Sequence, residues 1–373
     1  MAAMQIKKTL LDLNDDCLSE IYRALQTKEF IPIKSSFIIV NDQQANPFTA
    51  LKCFSVTCKR LRRVSSPFVF KGIRIGHNWE WDRVGRALVD ISENSSAAKY
   101  ATTFVLDTGA EHTTRVNKHG GTFISRKEQS TKPSVDLALA FGTALRKMAN
   151  LEDLALAVEP WKVFEENVPK TALDQLSIKR VTLGVWMGSW ICDLCPQLQD
   201  IHLESWEESL ELLGDRALLS LPSLRNLNLH IYWTNFMVST LSRKAPQLEV
   251  LNLSRYGDPI HSLPPILARF PNLRELYLSS TIELYNNLPQ PQRAPLGPDK
   301  NSALKDFCVQ VSTALFKECK ALKSLDFKEL DFQDGYYVEK RQRSDGSVNF
   351  DLSYTKSRKG EFDGLRRDGS SLY

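Results

Sequence analysis

The sequence is short of several features that would indicate a membrane protein or a nucleic-acid-binding protein. Its 373 residues contain no run of about eighteen apolar residues, so no membrane-spanning helix is expected. The formal charge of +4 is small for this length, and aromatic residues do not alternate with basic ones. Neither a membrane surface nor a nucleic acid is therefore indicated as a partner.

Spacings typical of catalytic and metal sites are also missing. Cys192 and Cys195 form a C-x-x-C, but a structural zinc site needs a second ligand pair at similar spacing, and Cys308 and Cys319 lie much farther apart. We interpret the pair as core cysteines, with metal or redox chemistry as the alternative. His112 lies in a polar segment without a recognisable nucleophile or metal pattern. No catalytic residue, metal or cofactor is expected, and the chain is not expected to be an enzyme.

The cysteine count points to a reducing compartment. Seven is an odd number, and the first residues, MAAMQIKKTLLDLNDD, hold no apolar stretch as long as that of a signal peptide. Free thiols are the natural interpretation, and the expected location is the cytosol or the nucleus.

One phrase, Leu-x-x-Leu-x-Leu, returns along the chain, first as Leu151-Glu-Asp-Leu154-Ala-Leu156. Its copies begin at Leu151, Leu173 (a weaker match), Leu198, Leu224, Leu248, Leu273 and Leu322. A unit of roughly 25 residues with this phrase is typical of leucine-rich repeats. We therefore predict an α/β solenoid over residues 151–335, with a row of parallel strands and an outer helix in each unit. Helices are expected at 236–244, 266–270 and 311–319.

Other parts of the chain lack a clear copy of the leucine phrase. Residues 76–150 are predicted to be a bridge with a degenerate first strand at 101–106, a long exposed loop or disordered segment at 107–133, and a helix at 135–148. Prolines between 281 and 303 indicate a loop extruded from one repeat. Basic residues near the C-terminus suggest a flexible tail over 353–373.

Residues 8–75 have a different, helical pattern. Asn14 is expected to cap a helix with two acidic residues in its first turn. A second helix is expected after Asn46-Pro47, with basic residues in its last turn and a stop at Ser65-Ser66-Pro67. A short strand is predicted from Phe68 to Ile75.

This N-terminal region resembles an F-box, most specifically in the run Val56-Thr-Cys58-Lys59-Arg60-Leu61-Arg62. It departs from the family at Asn14, where proline is usual, and in a longer interval between its helices. F-box proteins with C-terminal repeats are substrate receptors of SCF-type ubiquitin ligases. Among them, this chain looks most similar to the divergent chains of filamentous fungi. The resemblance implies docking on a Skp-type adaptor and, through it, a cullin scaffold. The apolar candidates for adaptor binding are Leu13, Leu18, Ile21, Leu25, Leu51, Phe54, Val56, Cys58 and Leu61. The alternative is a repeat scaffold whose N-terminal helices only cap the array.

A target-binding face follows from strand alternation. Residues between the inward leucines should point outward, and those three positions past the last leucine should lie along the same edge. The outward positions are His202, Asn228, Asn252, Tyr277 and Asp326, of which the first four are target-binding candidates, and the edge candidates are Trp206, Tyr232 and Tyr256. Trp233 lies beside the edge candidates, and Trp161, Trp186 and Trp190 occur nearby in the sequence. These aromatics either anchor a partner or pack the loops against one another.

Overall fold

A computed structural model of the protein describes seventeen stretches of the chain. They are residues 13–27, 58–76, 79–108, 111–116, 122–127, 133–158, 162–168, 176–184, 190–193, 195–204, 221–230, 233–253, 258–278, 284–285, 300–328, 334–342 and 348–356. Across these stretches, no helix combines the length and the apolar character needed to cross a bilayer.

The architecture is α/β. The strands are β1 (Gly72–Gly76), β2 (Thr103–Asp107), β3 (Glu111–Val116), β4 (Thr122–Lys127), β5 (Asp153–Ala157), β6 (Arg180–Leu183), β7 (Asp200–Glu204), β8 (Asn226–His230), β9 (Val250–Leu253), β10 (Glu275–Leu278), β11 (Ser324–Lys328), β12 (Asp334–Gln342) and β13 (Val348–Lys356). The described helices are α1 (Asp15–Thr27), α2 (Lys59–Val69), α3 (Trp81–Glu93), α4 (Ser95–Tyr100), α5 (Val135–Lys147), α6 (Lys162–Asn167), α7 (Trp190–Asp193), α8 (Asn235–Lys244), α9 (Pro264–Leu267) and α10 (Lys300–Glu318).

Eleven of the strands form one sheet in chain order, and β3 and β4 form a separate hairpin. The pairs from β1 to β11 are parallel. Only the last two strands of the sheet, β12 and β13, are added in antiparallel fashion. Strands that follow one another in chain order with helices between them are compatible with a solenoid-like arrangement.

Parallel pairing aligns the apolar positions of the repeated phrase from strand to strand. The first aligned row is Ile73, Phe104, Leu154, Val181, Ile201, Leu227, Leu251, Leu276 and Leu325. The second is Ile75, Leu106, Leu156, Leu183, Leu203, Leu229, Leu253, Leu278 and Phe327. Ile73 and Leu203 are partly buried and the other members are buried. The two rows belong to one continuous apolar core shared with the helices, and each fully buried aliphatic side chain in it stabilises the fold by about 1.5–3 kcal/mol.

One copy of the phrase was predicted in the wrong register. In β6, Val181 pairs with Leu154 and Leu183 pairs with Leu156, so this unit's copy begins at Ile178 and not at Leu173. The copy predicted to begin at Leu173 is therefore wrong for its described residues, 176–178, which are not part of a strand; 173–175 lie outside the described residues. β-branched residues replace leucine at two of the three positions here, and a pattern restricted to leucine selected an unaligned phrase.

The sheet begins before the first clear phrase. The strand predicted at 101–106 is confirmed as β2, and β1 pairs with it. The exposed loop predicted at 107–133 is wrong for its described part, because β3 and β4 pair as an antiparallel hairpin. Their β-branched residues favour extended backbone despite the polar composition. The flexible tail predicted at 353–373 is wrong for 353–356, which belong to β13; 357–373 lie outside the described residues.

The outer helices follow the prediction with shifted ends. The helix predicted at 135–148 is confirmed as α5, and the one at 236–244 as α8. The helix expected at 266–270 is a 3-10 turn, Ile260–Ser262, followed by α9, which begins at Pro264 and ends at Leu267. The helix expected at 311–319 is part of the longer α10, which begins at Lys300, inside the loop predicted at 281–303. Leu284 and Tyr285 of that loop are buried, and 281–283 and 286–299 lie outside the described residues.

The first helix begins as predicted. Asn14 caps α1 by accepting a hydrogen bond from the Cys17 amide at 2.8 Å, and Asp15 and Asp16 lie in the first turn. Its side chains join those of α2 in a small core of Leu18, Tyr22, Leu61, Val64 and Val69. The rings of Tyr22 and Phe68 stack on this core with centroids 5.6 Å apart.

The second helix differs from the prediction at both ends. Cys58 has extended backbone angles and caps α2, so the basic residues from Lys59 onward occupy the first turn and not the last. The helix also continues through Pro67. Pro67 has no amide to donate to the Arg63 carbonyl. The hydroxyl of the buried Ser66 donates to the neighbouring Arg62 carbonyl at 2.6 Å. The strand predicted at Phe68–Ile75 therefore starts only at Gly72.

Candidate functional site

The residues between the two buried rows form a third aligned row, which we call the outward row. It consists of Arg74, Val105, Ala155, Thr182, His202, Asn228, Asn252, Tyr277 and Asp326. Successive side chains of a strand point to opposite faces, so the row lies on the face opposite the two buried rows. We call this the outward face; it also includes the residues two positions before and after the row in each strand.

The four target-binding candidates predicted for the outward row lie side by side, and Asp326 continues the row on β11. His202, Asn228, Asn252 and Tyr277 are direct register partners on β7 to β10. Their exposure differs from the expectation of an open polar row: Asn228, Asn252 and Tyr277 are each 8% exposed, whereas His202 is half-buried. The three edge candidates, Trp206, Tyr232 and Tyr256, lie outside the described residues.

Two of the accompanying tryptophans belong to the interior. Trp233 is 1% exposed and Trp190 is 6% exposed, and both are part of the main apolar core. The packing interpretation therefore holds for these two residues. Trp161 and Trp186 lie outside the described part of the chain.

The middle of the outward face carries a chain of charged and amide groups. The Arg180 guanidinium donates to both carboxylate oxygens of Asp153, through Nη2 at 2.7 Å and through Nε. The hydroxyl of Thr103 donates to the same carboxylate at 3.3 Å. The hydrogen bonds that Arg180 donates to Asp153 raise the pKa of the Arg180 guanidinium, as expected for a charge-assisted pair.

Asp200 continues this chain on the next strand. Its Oδ1 accepts a hydrogen bond from the Asn226 side-chain amide. Burial raises the pKa of the Asp200 carboxyl, while the bond from Asn226 and the charge of Arg180 act in the opposite direction. Asp153 and Asp200 thus each have a donor on a neighbouring strand.

The C-terminal half of the face is different. The Tyr277 hydroxyl donates to Glu275 Oε2 within the same strand at 3.0 Å. Asp326 and Tyr337 follow Tyr277 in register across β11 and β12. Burial, together with the negative charges of Glu275 and Asp326, raises the pKa of Tyr277, and the same causes raise that of Tyr337. Sequence reasoning missed Tyr337 because β12 is antiparallel and carries no copy of the phrase.

Two buried amides on this face lack donors. Asn228 Oδ1 and Asn252 Oδ1 have no hydrogen-bond partner among the described residues. A buried acceptor without a donor destabilises a fold by about 1–3 kcal/mol. Asparagine is therefore a costly choice for folding at these two positions.

The N-terminal helix pair separates the predicted adaptor residues into two groups. Leu18 and Leu61 are 0% and 4% exposed and lie in the small core, with Leu13 and Cys58 packed half-buried against it. Ile21 is 39% exposed on the surface of α1. The side chain of Leu25 and the residues Leu51, Phe54 and Val56 lie outside what the structure describes. Because Cys58 is extended, the second helix, predicted to run from Asn46-Pro47 to Ser65-Ser66-Pro67, is interrupted at this residue.

Asp15 fixes the two helices against each other. Its carboxylate accepts hydrogen bonds from Arg60 Nε at 2.8 Å and from Arg63 Nη2 at 2.6 Å. The Arg60 hydrogen bond holds the pKa of Asp15 below its ordinary value. The acidic first turn of α1 thereby compensates the unfavourable placement of cations at the start of α2.

The structure describes the surroundings of Cys195, one member of the C-x-x-C pair, and the position of His112. Cys195 is fully buried, and burial raises the pKa of its thiol to about 12. His112 lies on β3, and nothing further of its side chain is described. No three metal-ligating side chains come together within the described stretches.

No model of a known protein family matches the sequence. No curated protein matches it either. Function is therefore inferred from two features of the molecule itself: the outward face of the sheet and the N-terminal helix pair.

Proposed function

We propose that the protein is a substrate-receptor subunit of an SCF-type ubiquitin ligase. In this proposal the N-terminal helices dock a Skp-type adaptor, which joins a cullin scaffold, and the leucine-rich repeats hold a target protein. The chain performs no bond chemistry of its own. It contributes proximity, because a tethered target meets the ubiquitin-carrying enzyme at a high effective concentration.

The observation that carries the receptor half is the outward row. Register pairing brings His202, Asn228, Asn252 and Tyr277 together on neighbouring strands, although they are far apart in the sequence. An aligned row of polar and aromatic side chains on a rigid sheet is the kind of surface by which repeat proteins bind partners.

The adaptor half is supported by the separate core of the helix pair. Leu18, Tyr22 and Leu61 hold α1 and α2 together without residues of the main core. The resemblance to an F-box suggests that the partner of this helix pair is a Skp-type adaptor. Ile21 is an exposed apolar residue on α1 and is the described side chain best placed to contact that adaptor.

Adaptor binding tests the proposal. The full chain is co-expressed with a tagged Skp-type adaptor, alongside Ile21→Glu and the matched control Val89→Glu. Val89 is 43% exposed on α3, so it presents a similar apolar surface outside the helix pair. We expect the wild type and Val89→Glu to co-purify with the adaptor and Ile21→Glu to be lost. Failure of the folded wild-type chain to co-purify would remove the ligase assignment.

One observation favours the alternative of a scaffold with a helical cap. α2 packs against α4 and leads directly into β1, the first strand of the sheet. A cap covers the apolar end of a stack and has no need of an adaptor. Two results together would establish this alternative: deletion of residues 1–57 destabilises the sheet, and the full chain does not bind the adaptor.

A further inference from the structure

The C-terminal half of the outward face is rich in hydrogen-bond acceptors. Five neighbouring side chains, which we call the acceptor patch, share it: Asn228, Asn252, Glu275, Tyr277 and Asp326. Asn228, Asn252, Tyr277 and Asp326 are consecutive register partners from β8 to β11, and Glu275 is two residues before Tyr277 on the same face.

The amides of the patch point to a missing donor. Asn228 and Asn252 are more than nine-tenths buried, and neither side-chain oxygen receives a hydrogen bond from a described residue. The carboxylate of Glu275 accepts from the Tyr277 hydroxyl within its own strand. On the other half of the face, by contrast, Asp153 is held by a guanidinium from the next strand.

Positive charge is scarce on this side of the face. From β8 to β11, no outward-facing side chain that the structure describes is a lysine or an arginine; Lys328 ends β11, two residues after Asp326. On β12, Arg341 is engaged by Glu339 and Asp351, both at 3.3 Å. Burial is the main cause of the raised pKa values of Tyr277 and Tyr337, and the negative charges of neighbouring carboxylates add to it.

We propose that the acceptor patch binds an arginine-bearing, basic segment of the target protein. This deepens the receptor function proposed above and rests on it. Arginine suits the patch because its guanidinium carries five donors and no acceptor, pairs with carboxylates and stacks on tyrosine rings. Glu275, Asp326 and Tyr337 are half-buried and therefore accessible to such a side chain.

Peptide binding to the full chain tests the proposal. The probe is a fluorescein-labelled twelve-residue glycine–serine peptide with three arginines, compared with its lysine and glutamate analogues by fluorescence anisotropy. We expect the arginine peptide to bind most tightly and the glutamate peptide not to bind. The double substitution Glu275→Gln and Asp326→Asn should weaken arginine-peptide binding by about five- to thirtyfold, since each exchange removes one charge–charge attraction while retaining the side-chain volume.

The matched control is Asp306→Asn with Glu318→Gln, which removes the same charge from two exposed positions on α10. Equal weakening in both variants, or no preference for arginine over glutamate, would overturn the inference. Circular dichroism confirms that the variants are folded. Binding of the Skp-type adaptor is measured on the same preparations. If the chain binds the adaptor but shows no preference for the arginine peptide, only the acceptor-patch inference is refuted. If it prefers the arginine peptide but does not bind the adaptor, only the ligase function is refuted.

Discussion

A glycine at the end of β1 offers a sharp test of the sheet's register. Gly76 has a φ of 151° and pairs with Asp107 of β2. A Cβ atom on Gly76 would lie 2.0 Å from the Asp107 carbonyl oxygen and 2.8 Å from its carbonyl carbon. Both neighbours are backbone atoms, so the clash can be relieved only by moving one strand away from the other.

The expected cost of Gly76→Ala combines two effects. Positive φ at a residue with a side chain costs about 1–3 kcal/mol. Displacement of a packed strand adds about 1–3 kcal/mol, as for other insertions into well-packed cores. The displacement also disturbs Asp107, whose side chain is 1% exposed and is paired with Arg74 at 3.1 Å. We expect the free energy of unfolding to fall by about 2–6 kcal/mol.

The same substitution at Gly85 is the matched control. Gly85 lies inside α3, and a Cβ there would meet only the Leu137 Cδ1 atom at 3.4 Å, an ordinary contact. Alanine should therefore stabilise the helix by about 0.5–1 kcal/mol. The measurement is urea unfolding of the full chain, followed by far-ultraviolet circular dichroism. If Gly76→Ala unfolds at the same urea concentration as Gly85→Ala, the β1–β2 register is wrong.

Three further predictions concern the N-terminal helices and the thiols. Leu18→Ala should lower the local stability of α1 by about 2–4 kcal/mol, whereas Ile21→Ala should change it by less than about 0.5 kcal/mol, as measured by amide hydrogen exchange. Iodoacetamide at pH 8 should label the exposed Cys17 in the native protein and label Cys195 only after denaturation, because burial raises the pKa of Cys195 to about 12; peptide mass spectrometry distinguishes the two. Because the pKa of Asp15 is lowered in the folded protein, its contribution to helix packing is complete above the ordinary pKa of 3.8 and is lost as the pH falls through the lower folded-state pKa. The chemical shifts of α1 should therefore change at acidic pH, and Asp15→Asn should abolish this change.

The spacing of leucines was sufficient to predict the sheet and the direction of its side chains. A phrase with period-two apolar positions, repeated at a nearly constant interval, places equivalent residues beside one another in parallel strands. For this reason the sequence alone predicts that His202, Asn228, Asn252 and Tyr277 share one row, and their register pairing confirms it. The same logic failed where leucine was replaced, as at Ile178 and Val181.

Burial on the outward face could not be predicted in the same way. Alternation gives the direction in which a side chain points, but its exposure depends on the size of side chains on neighbouring strands. Asn228 and Asn252 were expected to be open and are largely covered. The β12–β13 hairpin also escaped prediction, because an antiparallel pair at the end of a sheet needs no copy of the phrase.

The contrast between the two halves of the outward face has a physical explanation in the repeat arrangement itself. Each strand of the array contacts only its two neighbours, so a polar group on the face can be satisfied only by its own strand, an adjacent strand, solvent or a bound partner. Asp153 obtains a guanidinium from β6, and Asp200 obtains an amide from β8. Around Asn252, the facing residues of β8 and β10 are Asn228 and Tyr277, and neither donates to its side-chain oxygen. Apolar residues there would remove the cost of an unsatisfied acceptor, so asparagine at this position is unfavourable for folding alone.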